Sequence, residues 1–202
     1  MYFKKIEFSV LIGLCITLAL SCFDFSYKCE NIRQSVFRLH ILANSNSEYD
    51  QKLKIKVRDR LLNEGLEVFA NSEDLEETIL LAEENLDKFI SCANDELIKN
   101  GCNKRVLAEV SPCYFNTRTY GETTLPAGVY DALQIKIGEG KGRNWWCVMY
   151  PSLCVSSCTK EMSDVLPKEE TKIVENKEKY IFKFKIVEFF ESIKEYLKHN
   201  ID

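Results

Sequence analysis

Only two histidines, His40 and His199, stand in the 202 residues, and no Cys-x-x-Cys or His-x-x-x-His pair occurs among them. Structural zinc sites usually draw four ligands from such close pairs. Cys154-x-x-x-Cys158 offers two, so the sequence gives no reason to expect a metal. An excess of positive charge is also lacking, since 27 Lys and Arg face 31 Asp and Glu for a net charge of −4. Nonspecific nucleic-acid binding needs a clustered basic face to neutralise phosphates, and no nucleic-acid partner is expected. The glycine cluster Gly138-x-Gly140-x-Gly142 lacks the third glycine of a dinucleotide loop and the Lys-Ser/Thr pair of a phosphate loop. It leads into Trp145-Trp146 instead of a helix, so no cofactor is expected either.

One long apolar run is present, from Phe8 to Phe23, behind Lys4 and Lys5 and with small residues at Ala19 and Ser21. This is the pattern of an export signal, and residues 1–21 are read as a signal peptide or, if uncleaved, a membrane anchor. Removing them takes out Lys4, Lys5 and Glu7, one net positive charge, and leaves −5. Eight cysteines then remain, at 22, 29, 92, 102, 113, 147, 154 and 158, an even number compatible with disulfides in an exported chain. Cys147 and Cys154 are the favoured pair, within hairpin reach, and closing that loop would stabilise by ~2.5 kcal/mol. For Cys92 and Cys102 a buried free thiol is an equal expectation.

Beyond the leader, Phe37, Leu39 and Ile41 alternate with Arg38 and His40, the period of a strand. Ser45 and Ser47 each precede an acid by three residues and predict the start of a helix running to about Phe69, with Leu53, Val57 and Leu61 as its core stripe. A second long helix is predicted between Ser72 and Asn100, and strand patterns follow around 105–110, 129–137 and 145–150. This order predicts an α+β fold, a mainly antiparallel sheet with two long helices on one face. The domain is placed at 33–157, a charged linker at 158–179 and a C-terminal amphipathic helix at 180–198, built on Phe182, Ile186, Phe189, Phe190, Ile193 and Leu197. A chain ending after Ser157 is therefore expected to keep its fold.

Several ordered motifs run through the domain: Arg38-Leu-His40-Ile-Leu-Ala-Asn44, continuing through Asp50, Lys54 and Arg58; Thr117-Arg118-Thr119-Tyr120-Gly121; Leu125-Pro126-Ala127-Gly128-x-Tyr130; and the tryptophan loop. Together they resemble the stage II sporulation protein R family over about residues 36 to 155. Asn116 departs from the Phe-Pro-Thr that usually precedes the Arg-Thr-Tyr-Gly-like segment. The resemblance implies a signalling protein of endospore formation, not an enzyme. Such a protein is made in the forespore and exported to the space between the two membranes. There it activates a membrane-embedded aspartic protease of the mother cell that processes the sigma-E precursor. Arg38, His40, Asn44, Lys54, Arg58, Arg118, Tyr120, Trp145 and Trp146 are assigned to partner contact, because desolvated Arg and Trp dominate interface energy. Membrane association is expected through the N-terminal segment or the C-terminal helix. The alternative from another class is a secreted cysteine hydrolase using Cys147 and His40, since a thiol nucleophile needs a nearby base.

Overall fold

A computed structural model describes residues 2–151 and 162–201, with side chains over 7–151 and 162–198. The N-terminal helix α1 (Tyr2–Arg33) leads into β1 (Phe37–Leu42), then α2 (Glu48–Val68), α3 (Leu75–Glu84) and α4 (Leu86–Lys99). Strands β2 (Val106–Phe115), β3 (Arg118–Tyr120), β4 (Thr123–Leu125), β5 (Gly128–Ile137) and β6 (Asn144–Tyr150) follow. Helices α5 (Met162–Val165), α6 (Lys168–Glu175) and α7 (Lys177–Ile201) complete the chain.

The main sheet has the order β2-β5-β1-β6, antiparallel except where β1 runs parallel to β5, and β3 and β4 form a separate hairpin. This is the expected α+β architecture with a largely antiparallel sheet. Of the two predicted caps Ser47 is the one that forms at α2, where the Asp50 amide donates to Ser47 Oγ at 3.1 Å, while Ser45 Oγ donates to Asp50 Oδ2 at 2.5 Å; Leu53, Val57 and Leu61 are buried. The second helix is not one long element: it breaks at Asn85 into α3 and α4. The Asn85 side chain donates back to the Leu81 carbonyl at 2.8 Å, which ends the turn, and Glu83 and Glu84 stand at the end of a helix dipole that disfavours acids.

Helices cover both faces of the sheet, where one covered face was predicted. Odd-numbered β1 residues Phe37, Leu39 and Ile41 join Leu133, Ile135, Cys147 and Met149 in a core with Leu53, Val57 and Leu61 of α2, Ala82 of α3, and Phe89 and Ala93 of α4. The opposite face carries a second core: Phe115, Tyr130, Ala132 and Val148 meet Phe25, Cys29 and Ile32 of α1, Ile173 and Val174 of α6, and Phe184 and Val187 of α7. Met162 and Leu166 are buried in the same core. The stretch predicted as a charged linker is thus, where described, helical and packed. Asn31 Nδ2 donates to Glu170 Oε1 at 3.0 Å and fastens α6 to α1.

The helix α1 divides along its length. From Phe8 to Leu20 its side chains are exposed, while Phe25, Cys29, Ile32 and Arg33 are buried against the domain. Glu7–Arg33 is long and apolar enough to cross a membrane, which is compatible with a signal peptide or an anchor.

Candidate functional site

The side chains predicted to make one partner surface separate onto two faces of the sheet and a loop. The β1 and β6 register settles this, because Leu39 pairs with Cys147 while His40 pairs with Trp146. Neighbouring strand residues point to opposite faces, so Trp145 joins the α2 side and Trp146 the other. Each indole is covered by an arginine. The Arg58 guanidinium of α2 lies 4.5 Å from the Trp145 ring centroid, and that of Arg118 on β3 lies 4.3 Å from the Trp146 ring.

Asn44 and Lys54 serve the loop that enters β6. Asn44 Nδ2 donates to Asp50 Oδ2 at 2.7 Å and Asn44 Oδ1 accepts from the Glu139 amide at 3.2 Å. Lys54, 3% exposed, donates to the Arg143 carbonyl at 2.7 Å and to Gln51 Oε1 at 2.8 Å. Burial, and then the nearby Arg143 cation, pushes its ammonium below the usual lysine range. Burial also works against the Asp50 carboxylate, but hydrogen bonds from Asn44, Ser45 and Ser47 outweigh it and hold the carboxyl below its ordinary range. Gly142 runs so close beneath this loop that a Cβ there would strike the Ser45 carbonyl. The glycine cluster is therefore a clamp between the β5–β6 and β1–α2 connections.

The other five predicted residues come together on the second face. Arg38, fully buried, stacks its guanidinium 3.9 Å from the Phe115 ring centroid and 4.8 Å from that of Tyr130. Its Nη2 donates to the Tyr120 hydroxyl, and its Nε reaches the Cys147 carbonyl at 3.4 Å. Tyr120 in turn donates to the Trp146 carbonyl at 3.2 Å. The short β3–β4 hairpin is thus pinned to β1 and β6 through one arginine, and Arg118 is left exposed above Trp146. Among the described residues, Arg38 Nη1 finds no hydrogen-bond partner and no carboxylate pairs with this cation. The aromatic rings supply its compensation.

His40 is 7% exposed and stands beside Arg38 on β1. Its Nδ1 lies 3.3 Å from Gln134 Oε1 and 3.4 Å from Cys113 Sγ. Burial, the dominant cause, lowers its pKa below 6.5 despite support from Gln134 and Asn144. The Cys147–His40 dyad of the hydrolase alternative does not assemble, since the two side chains point to opposite faces. Cys147 is disulfide-bonded; its proposed partner Cys154 lies outside the described residues. Cys113 does meet His40, but burial pushes its thiol up to about 11, opposite to the shift that activates a cysteine nucleophile. Cys15, Cys22, Cys29, Cys92, Cys102 and Cys113 are free, so the even count did not signal a fully bridged framework.

The sequence reading missed Phe115, Tyr130, Cys113 and Gln134 as members of this cluster. Tyr130 was discoverable, because strand parity puts it on the same face as Ala132, the β5 partner of Arg38. Phe115 lies five residues past the segment predicted as a strand.

The lowered His40 pKa has a measurable sign. The unfolded imidazole binds a proton as pH falls through about 6.5, while the folded one resists until its own lower pKa, so stability falls with pH across that window. Replacing His40 with Gln is expected to flatten the fall in unfolding free energy, measured by urea denaturation, between about pH 7 and pH 5.5, by at most ~1.4 kcal/mol per pH unit for one proton. An unchanged slope would show that His40 stays exposed to solvent protons.

A family model described as stage II sporulation protein R matches residues 33–160. The stage II sporulation protein R of Bacillus subtilis (strain 168) is 34% identical over 151 residues, covering 73% of this chain and 66% of that protein. The chain thus spans just under two thirds of that relative's length. No solved structure matches.

Proposed function

We infer that this chain, which belongs to the stage II sporulation protein R family, is an exported signalling protein of endospore formation. In this reading it is made in the forespore and acts in the space between the two membranes, where it activates the mother-cell membrane aspartic protease that processes the sigma-E precursor. The family match over 33–160 carries the reading, because it spans the sheet, the Arg38 cluster and the tryptophan strand. The N-terminal helix supports export or anchoring.

Within this reading the accessible part of the cluster makes the contact. Arg38 is buried and acts from below by holding β3 against β6 through Tyr120 and the Cys147 carbonyl, and buried His40 packs beneath the Trp146 ring, whereas Arg118 is exposed over the half-buried Trp146. An Arg stacked on Trp at a rim is a good anchor for a partner that completes its desolvation. The test is co-expression of the chain with the protease and the sigma precursor in a host lacking all three. Processing is expected only when the chain is present and exported. Arg118→Ala is expected to weaken it by ~2 kcal/mol of binding, a roughly thirtyfold higher requirement for the chain, with thermal unfolding unchanged. Equal processing without the chain would end the reading, and full potency of Arg118→Ala would move the contact elsewhere.

A further inference from the structure

The helix α7 turns an unusual side to the domain. It buries Phe184 and Val187 and keeps Tyr180, Glu188, Glu191 and Glu195 half-buried on the same side. Glu191 reaches Arg33 at 3.8 Å. After burial itself, Glu188, Glu191 and Glu195 are the groups that push the Tyr114 phenol up, which places all three carboxylates on the protein side. The opposite side carries Phe182, 83% exposed, with Ile186, Phe189, Phe190, Ile193 and Leu197, all exposed. At 3.6 residues per turn these six form one continuous stripe about 100° wide. A helix serving only as a cap would bury that stripe.

Two observations say what covers it. The first is charge placement. Exposed Lys185 and Lys194 border the stripe on either side, each tied back to a glutamate of the inner face, Glu188 at 2.9 Å and Glu191 at 2.8 Å. Lys179 and Lys198 are exposed on the same helix. The second is continuity with α1. Phe25 of α1 packs edge-on against Phe184 with centroids 5.4 Å apart and stacks on Tyr180 at 5.6 Å, and Lys183 Nζ donates to Ser21 Oγ at 3.0 Å. These contacts sit just past the exposed apolar part of α1, Phe8 to Leu20, within the membrane-length segment Glu7–Arg33, where that helix meets the domain.

We propose that α7 is an interfacial helix that lies on an anionic lipid surface, its Phe189–Phe190–Ile193 stripe entering the acyl boundary and its lysines meeting the headgroups. The domain then rests on the membrane by a second contact beside α1, and that contact persists after residues 1–21 are removed. The stripe lies outside the family-matched segment 33–160, and the inference stands apart from the protease reading. A lipid surface fits better than a folded protein partner, because the lysines at both edges of a broad apolar stripe match headgroups on either side of an embedded helix.

The experiment is flotation with vesicles of phosphatidylcholine, with and without phosphatidylglycerol, using the chain from Cys22 onward. The omitted run adds no side chain to either core between residues 7 and 20, and Phe25, Cys29 and Ile32 are retained. This chain is expected to float with the anionic vesicles. Combined Phe189→Ser, Phe190→Ser and Ile193→Ser should weaken binding roughly a hundredfold with unchanged circular dichroism and thermal midpoint. The pair Lys185→Glu and Lys194→Glu should cost about tenfold, on anionic vesicles only. Failure to float at either composition overturns the proposal, as does flotation of the triple variant equal to the parent. A dimer in sedimentation velocity that the triple variant dissolves, without vesicle binding, would assign the stripe to a second copy and overturn it too.

Discussion

Arg38→Ala should lower the unfolding free energy by about 3–5 kcal/mol, the range for removing a large, fully buried side chain without refilling its space. The side chain is fully buried, sandwiched near Phe115 and Tyr130, and it supplies the Tyr120 hydroxyl and the Cys147 carbonyl with a donor. Truncation removes the stem, leaves both rings facing a void and unpins the β3–β4 hairpin. Arg38→Met separates packing from charge. It restores most of the volume, and the lost guanidinium had one unpartnered nitrogen among the described residues and no carboxylate, so its removal should change stability by no more than about 1–2 kcal/mol in either direction. Urea denaturation with an unchanged m value measures both. A loss under about 1 kcal/mol for the alanine variant would mean that the rings close over the gap. A methionine variant that is stable but no longer supports sigma-factor processing would show that the cation sets the position of Tyr120 and, through it, Arg118.

The sequence was most legible where one side of an element is apolar and the other is not. In β1, β5 and β6 the alternation on the α2 side of the sheet is clean, and of the two candidate caps, Ser45 and Ser47, it is Ser47 that opens α2. The second face was obscured by the same logic. Arg38, His40 and Gln134 are polar, and polar positions on an alternating strand read as solvent or partner, whereas here aromatic rings and a hydroxyl admit them to the interior. Lys54 misled in the same way, since the Arg143 carbonyl and the Gln51 side-chain oxygen together hold its head inside the fold. The helix α6 was missed for a different reason. Eight residues with Ile173 and Val174 as their buried apolar pair carry too little periodicity to stand out from their charges, and tertiary burial decides such a segment. The proposed partner contact accordingly narrows from nine residues to the exposed Arg118 on Trp146, with Arg38, His40 and Tyr120 packed beneath it.

Ending the chain after Ser157 is expected to have the largest effect of all, against the sequence-based expectation that the fold survives. Met162, Leu166, Ile173, Val174, Phe184 and Val187 would leave the second core, and at about 1.5–3 kcal/mol for each buried side chain the gross loss is on the order of 10 kcal/mol. Relief from ordering these helices offsets part of that, yet the remainder is comparable with the roughly 5–15 kcal/mol by which domains are stable. Leu125, Tyr130 and Val148, now buried, would face water beside Arg38. The shortened chain should lose cooperative unfolding and the near-ultraviolet signal of Trp146, and should expose apolar surface to a hydrophobic dye. A chain ending at Asn176 keeps α5 and α6 and gives up Phe184 and Val187 from the core, so it should still unfold cooperatively at a lower urea midpoint. Cooperative unfolding of the 157-residue chain within about 1 kcal/mol of full length would show that the second face needs no cover. The contrast also decides how signalling should be tested. Inactivity of the shorter truncation would report only that Arg38 and Trp146 had lost their packing, whereas a folded chain ending at Asn176 separates the contribution of α7 from the integrity of the face it covers.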